Sequence, residues 1–318
     1  MRMIIIYNSS VDKSPPYSLI MSRAKIRSYV TKQKVNTLGA LQRIMSNFSP
    51  LMIAVAPNGA RKTQVDHPAL PLSPPEIATT ATNCLNAGAC MIHLHVRDEN
   101  YNHSLDPERY KKAIAAIRSK VGENLIVQIT TEAVGIYKPE EQVEVVKAVR
   151  PEAASIALRE LCPNQKYEKQ AGLFFEWMYK NGVSPQYILY DKNDIRRFNH
   201  YRQTGLIPGD NVSILLVLGR YSLDQQSDPN NLYPLLEDID PNHKWWLCAF
   251  GKTESKCMNE AIKLNGHCRV GFENNTILPN GDTAVSNHQL VQEVAKQARA
   301  LNRPIADADN ARELMGIK

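Results

Sequence analysis

The run Ala89-Cys90-Met91-Ile92-His93-Leu94-His95-Val96-Arg97-Asp98 decides how this chain is read. Its apolar first half, preceded by Gly88, reads as a buried strand. Side chains alternate along a strand, so His93 and His95 share one face, about 7 Å apart along the chain. Two imidazoles on one rigid face are the first half of a metal site; a buried, hydrogen-bonded histidine pair is the plainer alternative.

Seven similar apolar runs recur, at residues 51–56, 125–130, 153–158, 186–191, 212–218, 244–250 and 268–273, each bounded by Gly, Pro or Asn. Amphipathic segments separate them, at 73–87, 106–121, 138–149, 168–181, 195–204, 230–236, 254–264 and 287–301. The first opens well: Ser73 as N-cap, two prolines in the first turn and Glu76 three residues on. Gly182, Gly205 and Gly266 are expected to close helices. Eight strand–helix units over about 265 residues predict a (β/α)8 barrel of the TIM type. A doubly wound open sheet is the rival, but no G-x-G-x-x-G follows a first strand. Residues 304–318 are expected to form a C-terminal helix or cap.

The 318 residues are 43% hydrophobic and 22% charged, as in a soluble globular protein, and no apolar run is long enough to span a membrane. Six cysteines without a C-x-x-C pair are expected to be reduced, buried thiols of a cytoplasmic protein. The formal charge of +6 is uneven. Residues 1–50 carry eight Lys or Arg against one acid, whereas the rest holds 30 bases and 31 acids. The basic surplus therefore belongs to an N-terminal extension, and the body gives no reason to expect a nucleic-acid partner. That extension is expected to be poorly ordered, with organelle targeting as the alternative.

In a barrel the functional site lies at the carboxyl ends of the strands, where His93 and His95 sit. The last run reads Cys268-Arg269-Val270-Gly271-Phe272-Glu273-Asn274. Period two predicts that Arg269, Gly271 and Glu273 face inward together. The first, second and last strands are neighbours in a closed barrel, so Glu273 is expected to approach both histidines. Two His and one carboxylate suit a catalytic zinc ion, and also ferrous iron or manganese. His67 and His103 are expected in loops, His200 on a helix, His243 and His288 facing solvent, and His267 at the surface.

These stretches also resemble the β-keto acid cleavage enzyme family. The marks are Ala56-Pro57-Asn58-Gly59-Ala60, Pro71-Leu72-Ser73-Pro74-Pro75-Glu76-Ile77, the 87–98 segment with its two histidines, Gly266 through Asn275, Asn287-His288-Gln289-Leu290-Val291 and Asn302-Arg303-Pro304-Ile305-Ala306. The resemblance covers the chain from about Met52 to Ile317. It implies a zinc barrel in which a β-keto acid and acetyl-CoA yield acetoacetate and a new acyl-CoA, in a homo-oligomer, a dimer or tetramer. It assigns the metal to His93, His95 and Glu273, and an orienting role to Arg269. The family's general base falls on Asn274, an amide that accepts no proton at neutral pH.

Further departures cluster at strand ends. Thr130 keeps a hydroxyl at a family serine, but Glu132 replaces a glycine and could act as a substitute base or metal ligand. Ala157 replaces an asparagine, with Ser155 two positions earlier. Arg220 and Tyr221 interrupt a glycine-rich loop, and Arg61 stands where some branches carry a glutamate. Asn58, Arg61, Ser155 and Arg220 are therefore candidate substrate-binding residues, Thr130, Glu132, Arg269 and Asn274 candidate catalytic ones. The extra arginines point to a small organic anion, a carboxylate above all. The alternative is a metal-bearing barrel whose catalysis is lost or altered and which binds such an anion.

Overall fold

Residues 48–210 and 212–317 are described by the computed structural model. The basic extension expected over 1–50 thus lies outside the described residues, apart from 48–50. The strands are β1 (Ile53–Val55), β2 (Met91–Leu94), β3 (Val96–Arg97), β4 (His103–Ser104), β5 (Ile126–Thr130), β6 (Ala153–Ala157), β7 (Ser184–Leu189), β8 (Ser213–Leu218), β9 (Lys244–Ala249) and β10 (His267–Val270). Most are buried on both faces, and such strands must be covered on both. They achieve this by closing into a parallel barrel, in the order β1-β10-β9-β8-β7-β6-β5-β2, with the connecting helices outside. Here β1 is the seam: Ala54 pairs with Arg269 on one side and with Met91 on the other.

All eight expected strands form, and the rival open sheet is excluded by the closure. The helices match too, with Pro74–Ala87 opening on the Ser73–Glu76 capping box. The C-terminal piece forms a helix, Ala308–Met315, whose Ala308, Ala311 and Met315 pack with Met52, Ile126, Ala153 and Trp246. It plugs the amino end of the barrel. Each large apolar side chain buried there contributes about 1.5–3 kcal/mol.

Several local expectations differ. The helix Glu254–Lys263 is followed by Asn265, not Gly266, in the left-handed conformation. Gly266 is needed for packing instead, since a Cβ there would lie 2.2 Å from the Trp245 ring. His267 is buried rather than at the surface, and its Nδ1 accepts a hydrogen bond from Met52 N. His103 is not in an open loop: it lies buried on β4, antiparallel to β3, in a hairpin that period analysis missed. The short helix Leu158–Leu161 was also missed. Finally, β10 ends at Val270, so the period-two run does not extend to Glu273.

Candidate active site

Two of the metal donors come from the top of β2. His93 Nε2 lies 3.1 Å from His95 Nε2, and Glu273 Oε2 is 3.7 and 3.5 Å from the two. All three side chains are buried or nearly so. His93 Nδ1 sits 2.8 Å from Gln128 Oε1, an acceptor, so the ring proton resides on Nδ1 and the Nε2 lone pair faces its partners. Gln128 Nε2 donates to Gln186 Oε1, and Gln186 Nε2 to Ser213 Oγ, each at 3.3 Å. This chain of amides runs from β2 to β8 beneath the site. The backbone of His95 is fixed by Asn58 Nδ2, which donates to its carbonyl at 3.2 Å.

Electrostatics match the geometry. Burial, reinforced by the Arg269 charge, holds the His93 imidazole well below its ordinary pKa, in the neutral form that ligates a metal. Burial opposes ionisation of Glu273, yet Arg269 and His95 outweigh it and keep the carboxyl well below its usual range. Two imidazole nitrogens and one carboxylate oxygen gather within 4.8 Å, and Glu273 Oε2 is buried with no hydrogen-bond partner. That donor set fits a divalent metal.

Glu273 reaches the histidines through a turn, not a strand. Gly271, at φ +140°, breaks β10, and a Cβ there would lie 2.3 Å from Ala56 O. Asn274 N and Asn275 N then donate to Gly271 O. The turn is pinned by Lys62, whose Nζ donates to Phe272 O at 2.6 Å and Glu273 O at 3.2 Å. Gly59 leaves room for the ligand, since a Cβ there would meet Glu273 Cγ at 2.6 Å. Arg97 ties the same loop through Gly59 O and Lys62 O. Arg269 Nη2 lies 3.3 Å from both Glu273 Oε1 and Cys248 Sγ.

Above the donors is a narrow cavity of about 30 Å³, walled in part by Thr130, Glu132, Ser155, Glu160, Tyr190, Arg220 and Arg269. Ser155 Oγ is buried without a partner. Thr130 Oγ1 accepts from Glu132 N at 3.0 Å, leaving its own proton free. Burial keeps the Tyr190 phenol well above its ordinary pKa, so it remains a neutral donor. Burial also raises the Glu160 carboxyl. Glu132 stands apart from the metal donors: its Oε1 is 2.7 Å from Arg61 Nη1 and 3.3 Å from Arg220 Nη2. Burial works against its ionisation, but His95 and Arg61 prevail and its pKa is lowered.

Three candidate residues are not on the cavity wall: Asn58, Arg61 and Asn274. Asn58 braces β2, Arg61 is largely exposed, and Asn274 is buried with its Nδ2 3.3 Å from Arg269 O. Asn274 and Asn275 neighbour Glu254, a buried acid that burial pushes up to about 8. A folded-state pKa above the unfolded one means the native state holds the extra proton, so stability falls as pH rises from about 4.5 to about 8. Glu254→Gln is therefore expected to raise the melting temperature by several degrees at pH 8 and hardly at all at pH 4.5. Thermal melts across that range check this, and an equal effect at both pH values would contradict it.

Sequence reasoning missed Gln128, Gln186, Glu160, Tyr190 and His103. Gln128 had a visible signal, a lone polar residue within the apolar run Ile126-Val127-Gln128-Ile129. Glu160 had none, because it is presented by the short helix that was not foreseen.

The family model described as beta-keto acid cleavage enzyme matches residues 50–317. The 3-keto-5-aminohexanoate cleavage enzyme of Fusobacterium nucleatum is 32% identical over 275 residues, covering 84% of this chain and 98% of that protein. The 3-oxoadipate:acetyl-CoA acetyltransferase of Cupriavidus necator is 28% identical, with 84% and 95% covered. Among solved structures, apo ObcA superposes with a TM-score of 0.65 at 17% identity, over 79% of this chain and 66% of that one. That likeness shows the barrel fold alone.

Proposed function

Since this chain belongs to the beta-keto acid cleavage enzyme family and is an enzyme of its carbon–carbon-cleaving type, we propose that it takes a β-keto acid and acetyl-CoA to acetoacetate and a new acyl-CoA, with zinc as its metal. The observation that carries this is the convergence of His93, His95 and Glu273 at the floor of a cavity with an unpartnered Ser155 hydroxyl in its wall. A divalent cation held there supplies Lewis-acid polarisation of a carbonyl oxygen.

The chain's own residues do the rest. Ser155 and Thr130 donate hydrogen bonds to substrate oxygens, and Tyr190 adds a third neutral donor. Arg269 fixes the Glu273 carboxylate and supplies a buried positive charge next to the site, favourable to the keto acid's carboxylate. Asn274 cannot take a proton. Of the other acids on the wall, Glu132 is held ionised by His95 and Arg61 against the cost of burial and is a weak base. Glu160, raised by burial, is the better matched proton acceptor. A homo-oligomeric assembly is part of this reading.

The test is to incubate the metal-loaded protein with acetyl-CoA and a panel of β-keto acids and to assay acetoacetate. No product across the panel would sink the proposal. Asn274 favours a second reading, a binding barrel with altered chemistry. In that case small organic carboxylates stabilise the metal-loaded protein in thermal melts while no acetoacetate forms.

A further inference from the structure

Three loops meet over the cavity mouth. Arg61 follows β1, Glu132 follows β5 and Arg220 follows β8, so the residues come from well-separated parts of the barrel rim. Both guanidinium groups converge on one oxygen, Glu132 Oε1, at 2.7 and 3.3 Å. The carboxylate is not a loose side chain on a mobile tether. Glu132 N donates to Thr130 Oγ1, and His103 Nε2 donates to Glu132 O at 2.8 Å. Arg220 is itself held with its guanidinium 5.2 Å from the centre of the Phe250 ring. Two arginines around a single acceptor form the kind of seat that binds a ligand carboxylate. Here the protein has filled that seat with its own.

We infer that Glu132 is a specificity-determining residue: it occupies the anion seat between Arg61 and Arg220, so that this chain takes β-keto acids with an uncharged far end and rejects those with a second carboxylate there. This rests on the reaction proposed above, with the keto acid's reacting end at the metal donors and its far end toward the rim. A second carboxylate would then meet Glu132 and Glu160, both on the cavity wall, while the arginines that could receive it are already engaged. Like charges brought together in this way cost several kcal/mol. An alkyl end meets no such cost, because Ile188, Val217 and Phe250 line the same cavity.

The experiment compares 3-oxohexanoate with 3-oxoadipate, equal in chain length and different only at the far end. Their kcat/KM ratio is measured for the natural chain, Glu132→Gln, Glu132→Gly and the double variant Glu132→Gln/Arg220→Met. The natural chain is expected to favour 3-oxohexanoate by about tenfold or more, and Glu132→Gln to move the ratio toward 3-oxoadipate by about thirtyfold. Adding Arg220→Met should remove most of that gain. In parallel, calorimetry of adipate and hexanoate binding reads the seat without turnover: adipate should bind measurably only once Glu132 is replaced. A ratio and an adipate affinity unchanged within about twofold in both single variants would overturn the inference. Absence of turnover with either acid would instead count against the reaction, and the calorimetry would still decide the role of Glu132.

Discussion

His95→Ala is expected to strip the protein of its metal and of nearly all activity. His93 sits near the end of β2 and His95 just beyond it, and Glu273 Oε2 completes a donor set in which both histidines are buried and the glutamate nearly so. Loss of an outer-shell partner alone typically weakens metal affinity by about 10–100-fold, so loss of one of three direct donors should exceed about a hundredfold. The Lewis-acid contribution of several kcal/mol then disappears, which corresponds to a fall in kcat of about a thousandfold. Gln128→Leu supplies the graded comparison. It leaves all three donors but removes the acceptor that fixes His93 Nδ1 at 2.8 Å, and should cost about 10–100-fold in metal affinity. Metal analysis after dialysis reads both variants. Full metal content in His95→Ala would remove the site from further consideration.

The second large effect is expected from Arg269→Met. Arg269 is buried, pairs with Glu273 Oε1 at 3.3 Å, and is the charge that most favours the ionised form of that carboxylate. Removing one partner of a buried pair leaves the other charge uncompensated, at a cost of about 3–5 kcal/mol. The metal-free protein should bear that cost in full, whereas the metal-loaded protein should lose less, because the cation partly replaces the missing guanidinium. Thermal melts of natural and variant chains, with and without zinc, therefore separate two roles that activity alone would merge. A loss of stability identical in both forms would show that Arg269 serves packing and not the carboxylate. Arg269→Lys should restore charge but not the forked geometry, and so recover the melt better than the turnover.

The barrel was legible in the sequence because its signal is repeated eight times, and an error at one boundary does not disturb the count. The helix starts were legible where capping chemistry is local, as at Ser73 and Glu76. His93 and His95 were legible because two residues two apart in one extended run carry their geometry with them. Glu273 was a different matter. Strand periodicity pointed Glu273 toward the histidines, which it does approach, but β10 stops at Val270 and a glycine-led turn makes the final approach. That path depends on Lys62, Gly59 and Ala56, all distant in sequence. The rim charges were read individually as anion handles. Their mutual engagement through Glu132 depends on three loops meeting in space, which no local pattern encodes. Asn274 was read as standing at the reacting centre, whereas its side chain lies off the cavity wall.

A hoop is weakest where its ends are joined. In this barrel the join is β1, hydrogen-bonded to β10 on one side and to β2 on the other, and it is only three residues long. The donors straddle that join, with His93 on β2, His95 just beyond it and Glu273 just beyond β10, about 180 residues later in the chain. An ion gripped by all three would act as a clasp across the shortest stave. Closing so long a span costs chain entropy that grows only slowly with length, so the clasp gains nearly as much as any cross-link could. Chemistry and ring closure would then share one fastening, and whatever draws the ion out also loosens the hoop.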